Sequence, residues 1–129
     1  MSFPWQTMYA NPPRDLLRLN FVTAVSTTVR FDLLNNTAEE LVIASIFLNW
    51  PQANEAIFNF LKGGVAIWSG FDGTPPTLVD GGWLNTIANR TYLPRESDRI
   101  EAFFGLSAQQ SGYEMIVTFD NGWEVRAVE

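Results

Sequence analysis

The sequence predicts an all-β chain: a single antiparallel β-sandwich of about seven to nine strands over residues 16–129, behind an extended Pro-rich arm at residues 1–15. Three observations carry this. The chain closes on Y-E-M-I-V-T-F-D-N-G-W-E-V-R-A-V, Tyr113 to Val128, two alternating runs around a turn. Upstream, Val29, Phe31 and Leu33 alternate with Arg30 and Asp32, the period of a half-buried strand. Between these regions Gly63-Gly64 and Asn35-Asn36-Thr37 punctuate apolar runs as turns, glycine because it enters positive φ without steric penalty.

The elements follow in chain order. In the arm, Pro4, Pro12 and Pro13 forbid regular structure, while Phe3, Trp5, Met8 and Tyr9 supply apolar anchors. Two places for the arm stand open, against its own domain or against a neighbouring copy. Leu16 to Ser26 reads as a strand at an exposed sheet edge, open to pairing with another subunit. Leu41 to Trp50 is apolar on both parities, and its β-branched content and terminating Pro51 favour a central strand covered on both faces over a buried helix. Over residues 53–62 a strand is preferred to a short helix capped by Asn54. Phe71 to Gly82 reads as a long loop with at most a short strand at Thr77 to Val79, and Arg99 to Phe104 resumes strand character.

The last hairpin can be registered from its pattern. An Asn121-Gly122 two-residue turn would set Phe119 against Glu124 and scatter the apolar side chains between faces. An Asp120-Asn121-Gly122 turn pairs Phe119 with Trp123, Val117 with Val125 and Met115 with Ala127, which puts all of them on one face. The longer turn is therefore predicted, with Gly122 in the left-handed region.

Composition narrows the function classes. The 129 residues contain no cysteine and no histidine, which removes disulfides, thiolate chemistry, and the side chain most used as general base near neutral pH. Charged residues are 17% against roughly 25% for an average domain, and aromatics reach 14%, a balance that suits a subunit hiding surface in neighbours and equally a monomer with a large aromatic core. A net charge of −6 with Lys62 as the single lysine argues against nucleic acid and anionic membrane as partners. No run approaches the ~20 apolar residues of a spanning helix, and the first residues lack the pattern of an export signal.

Several candidates for chemistry remain. Asp72, Asp80, Glu96, Asp98 and Glu101 are the acids available for a glycosidase-like pair, with solvated loop charge the favoured reading. Asp72-Gly73 and Asp80-Gly81 could offer oxygens to calcium, but turn formation explains both, and no catalytic residue, cofactor or metal ligand is assigned. Trp50, Trp68 and Trp123 lie within apolar strand runs and are expected in the core, whereas Trp83 and Trp5 look available to a partner. Core closure is the expected role of Phe103, Phe104, Leu106 and Tyr113.

The succession N-N-T, I-F-L-N-W-P, G-G-V-A-I-W-S-G, R-T-Y-L-P and Y-E-M-I-V-T-F-D-N-G, over about residues 28–126, resembles Ig-like β-sandwich domains of bacterial secreted and surface proteins, some tied to pilus-like systems. Where such domains often carry a cysteine after the final Asn-Gly, this chain has Trp123, which rules out a covalent tether there. The resemblance implies a noncatalytic scaffold or adhesive role at the cell surface or outside the cell, and transfers no functional residue. The expected function is a self-assembling structural or adhesive subunit whose partners are copies of itself or filament neighbours, bound through Phe3, Trp5, Met8, Tyr9 and Trp83. The alternative is a carbohydrate-binding module in which Trp83 and the Phe71 to Asn89 loop take a glycan.

Overall fold

A computed structural model describes residues 16–129. The strands are β1 (Leu17–Val25), β2 (Thr28–Asn35), β3 (Leu41–Asn49), β4 (Ile57–Lys62), β5 (Val65–Asp72), β6 (Thr77–Val79), β7 (Thr91–Tyr92), β8 (Ser97–Phe104), β9 (Glu114–Phe119) and β10 (Glu124–Val128). One antiparallel sheet runs β1-β2-β8-β4-β5, the other runs β10-β9-β3-β6 with β7 joined to β3. The chain is thus all-β and two-layered, as its alternating pattern predicts. The strand count slightly exceeds the expectation because two of these strands, β6 and β7, are very short.

The core lies between the layers. Val29, Phe31 and Leu33 of β2 meet Met115, Val117 and Phe119 of β9 as members of one buried cluster, together with Ile100 and Phe60. Burying a side chain of this kind contributes about 1.5–3 kcal/mol relative to exposure.

The closing hairpin has the registered form. Val125 faces Val117 and Ala127 faces Met115. Phe119 N–H donates to the Trp123 carbonyl at 2.8 Å, and Gly122 sits at φ 90°. Gly63 and Gly64, at φ 58° and 84°, turn β4 into β5.

Two expectations need adjusting. Over residues 53–62 the preferred strand is present as β4 but begins only at Ile57: a 3-10 turn at Gln52–Asn54 precedes it, and Glu55 at φ 78° breaks the chain direction between them. The double-parity apolar run from Leu41 to Trp50 has a different cause from coverage on both faces. A register shift between Ile43 and Ser45 switches the inward parity, so that Leu41 and Ile43 are buried before it and Ile46 and Leu48 after it. Val42 and Phe47, on the other face, are only half-buried.

Two fully buried asparagines hold the ends of the sandwich. At one end Asn35 Nδ2 donates to the carbonyls of Glu39 (2.8 Å), Tyr92 (3.2 Å) and Leu93 (3.0 Å). Its Oδ1 accepts from Thr37 N–H (3.1 Å) and Thr37 Oγ1 (2.6 Å). At the other end Asn54 Nδ2 donates to the Tyr113 hydroxyl (2.8 Å), Asn54 Oδ1 accepts from Gln109 N–H (2.9 Å), and Tyr113 returns a bond to the Gln109 carbonyl (2.7 Å).

Candidate functional site

Three places on the described surface gather the side chains singled out in the sequence or left outside the core. The first is a charged cluster at the end where β1 begins. Lys62, the last residue of β4, is buried and its Nζ donates to Glu96 Oε2 at 2.7 Å and Asp98 Oδ2 at 3.4 Å. The ammonium also lies 4.3 Å from the centre of the Tyr92 ring. Of the acids considered for catalysis, Glu96 and Asp98 are the two that share the Lys62 ammonium, and Glu96 lines an open cleft of about 450 Å³ to which Glu40, Leu93 and Ile87 also contribute. Their remaining oxygens are engaged too: Glu96 Oε1 accepts Leu93 N–H and Asp98 Oδ1 accepts Arg99 N–H. With all four oxygens holding donors, the cluster pins β4 to β8 and the β7–β8 turn.

Burial pushes the Tyr92 hydroxyl well above the ordinary tyrosine range, and the neighbouring Asp98, Glu96 and Asp32 charges add to this. Its O–H donates to the Asp98 carbonyl at 3.1 Å. The unfolded chain releases the Tyr92 proton near pH ~10 while the folded chain keeps it. Stability is therefore fully present below pH ~10 and falls above it, by up to ~1.4 kcal/mol per pH unit for such a group. The Tyr113 hydroxyl is shifted in the same direction by burial, with the hydrogen bond from Asn54 opposing it. In Tyr92→Phe the alkaline decline of the denaturant midpoint between pH ~10 and ~12 should be shallower than in the wild type; equal slopes would refute the assignment.

The second place is Trp83. Its indole is half-buried, packs against the core, and carries the Arg90 guanidinium 5.4 Å from its ring centre. Arg90 is held there by its Nε bond to the Ile43 carbonyl at 3.1 Å. The adjacent loop is tied to β5, Leu84 N–H donating to Ile67 O (2.9 Å) and Asn85 Nδ2 to Ala66 O (2.8 Å). The ring of Trp83 is therefore partly occupied by the protein itself. Asp72, considered for calcium, caps its own turn through Thr74 N–H and accepts the Thr77 hydroxyl, which in turn holds Trp50 Nε1. No group of three or more acids that could hold a metal occurs among the described residues. Trp50 and Trp123 are buried and Trp68 is half-buried against the core.

The third place was not singled out by sequence. Phe58 and Phe71 are exposed to 39% and 70%, and their rings meet edge to face at 5.6 Å. Each ring lies over a glycine. A Cβ on Gly105 would stand 3.1 Å from the Phe58 ring, and one on Gly73 would stand 3.4 Å from that of Phe71. Trp68 lies over Gly70 in the same way, 2.6 Å from where a Cβ would be. β5 is an edge strand. Its first half is covered by the Leu84 and Asn85 bonds, while among the described residues no backbone bond other than those of the β4 pairing reaches Ser69, Gly70 or Phe71. The result is a short, uncovered stretch of sheet edge beside two ordered aromatic rings. The sequence hid it because Phe58 is displaced outward by a register shift between Ile57 and Asn59, a feature that apolar patterning does not reveal.

Phe3, Trp5, Met8 and Tyr9 lie outside the described residues. No helix among the described residues is long and apolar enough to cross a membrane.

No family model matches the chain, and no curated protein sequence matches it. Among solved structures, the archaellum periplasmic stator protein FlaG from Sulfolobus acidocaldarius aligns over 86% of this chain and 97% of that chain, at 15% identity and a TM-score of 0.44.

Proposed function

We propose that the protein is a noncatalytic structural or adhesive β-sandwich subunit, of the kind found in extracellular filaments or surface layers, that assembles with copies of itself through its apolar arm and a sheet edge. The observation that carries this reading is the ordered aromatic pair Phe58 and Phe71 beside an uncovered strand edge, together with an arm whose residues 1–13 hold Phe3, Trp5, Met8 and Tyr9 and no charged side chain. An aromatic 70% exposed yet held over a glycine is costly on an isolated domain and useful in an interface, where pre-ordered aromatic anchors dominate binding. An uncharged arm also suits a chain of net charge −6, since it approaches an acidic copy without repulsion. At ~25 cal/mol per Å2, burying its four large side chains would contribute several kcal/mol before ordering costs.

The noncatalytic part of the reading is supported by the absence of histidine and cysteine and by the engagement of the Glu96 and Asp98 oxygens. Replacing Phe3, Trp5, Met8 and Tyr9 together by serine in the full chain should convert assemblies to monomers in multi-angle light scattering. An unchanged mass, or a wild-type chain that is monomeric at every concentration reached, sinks the proposal.

A further inference from the structure

Resting on that reading of self-assembly, we infer that the acceptor for the arm is the Ser69–Phe71 edge of β5 with Phe58 on a second copy, so that subunits join head to tail. The arm enters the fold at Leu16, whose carbonyl accepts Asn36 N–H at 2.7 Å, beside the start of β1. Along the five-stranded sheet, this end carries the Leu17–Asn35, Leu34–Ser97, Ile100–Lys62 and Lys62–Val65 pairings. The Phe58 and Phe71 rings sit by the Ile57–Phe104 and Ile57–Asp72 pairings at the other end, on the opposite edge strand. Root and acceptor therefore occupy diagonal corners of one sheet.

Four strand spacings of ~4.8 Å and seven or eight residues of strand rise place those corners roughly 30 Å apart. Fully extended, the stretch from Leu16 back to Tyr9 spans at most ~25 Å, so Trp5 could reach the acceptor of its own subunit but Tyr9 could not, and the two together cannot be seated there. A second copy removes the limit.

The chemistry of the two surfaces matches. Trp5 to Asn11 is a run without proline between Pro4 and Pro12. Added as a strand, it would present Trp5, Thr7 and Tyr9 on one face, the spacing needed to pack two aromatics against two others. Gly70 leaves the acceptor strand without a side chain at its centre, and the Trp68 indole lies across that gap. Because donor and acceptor are different surfaces at different corners, the contact is heterologous and propagates into an open chain rather than closing as a two-fold dimer.

Sedimentation velocity on full-length variants tests this. Phe71→Glu, at an exposed position that the fold does not need, should raise the concentration required for assembly by about tenfold or more. Val128→Glu, equally exposed at 64% on β10, should leave it unchanged and controls for added charge. The arm variant with serine at positions 3, 5, 8 and 9 keeps an intact acceptor, and Phe71→Glu keeps an intact arm. At a concentration just above that at which the wild type assembles, each alone should be monomeric, and an equimolar mixture should form a one-to-one dimer that grows no further. Wild-type assembly by Phe71→Glu, equal loss in Val128→Glu, or a mixture that stays monomeric overturns the acceptor assignment while leaving an arm-driven assembly standing. Wild-type mass in the arm variant overturns the proposed function itself.

Discussion

Asn35→Asp is expected to lower folding stability by about 4 kcal/mol, a drop in the thermal midpoint of roughly 15 °C for a domain of this size. The reason is the polarity of the site. Asn35 is fully buried, and its amide nitrogen faces three backbone carbonyls, those of Glu39, Tyr92 and Leu93. A carboxylate would turn a donor into a negative oxygen against three acceptors and leave those carbonyls without a donor. Asn35→Ala removes the same donors without adding charge and should cost less, about 3 kcal/mol. Differential scanning calorimetry of the two variants decides the matter. A midpoint shift in Asn35→Asp smaller than about 5 °C, or one no larger than in Asn35→Ala, would show that the Asn35 bonds do not hold this end together.

Asn54→Ala is expected to cost about 3 kcal/mol. Asn54 ties the 3-10 turn after β3 to the stretch between β8 and β9, and its backbone carbonyl accepts Leu106 N–H there and Ala56 N–H just before β4. Truncation strands the Gln109 N–H and removes the donor to Tyr113, although the Tyr113 hydroxyl keeps its bond to the Gln109 carbonyl. Since Asn54 and Tyr113 share one network, Asn54→Ala with Tyr113→Phe should destabilise by about 1 kcal/mol less than the sum of the single changes. Urea titrations of the four proteins give the coupling directly, and strict additivity would contradict the network. The same turn supports Gly105, against which the Phe58 ring rests, so loosening it should also weaken assembly.

Local patterns reached as far as residues close in sequence reach. The final hairpin was readable because its register follows from parity and from one glycine at positive φ, all within Met115 to Ala127. The Gly63-Gly64 turn was readable for the same reason. Asn35 was legible as a turn residue but not as a hub, since Tyr92 and Leu93 lie 57 and 58 positions away. Lys62 stood out as the single lysine, yet nothing in its neighbourhood pointed to Glu96 and Asp98. Register shifts defeated the pattern most completely: one near Ala44 made a one-sided strand look two-sided, and one at Phe58 sent an apolar side chain outward. Trp83 looked available because glycines precede it, and its contact with Arg90 depends on how the following 3-10 turn, Ile87–Arg90, folds back.

The position of Lys62 has a practical side. The chain has a single side-chain amine, and it is shut between two carboxylates and a phenol ring with only 7% of that side chain accessible. Lysine-directed proteases would find almost no foothold at Lys62 on the native fold, so their cleavage there would chiefly report its opening.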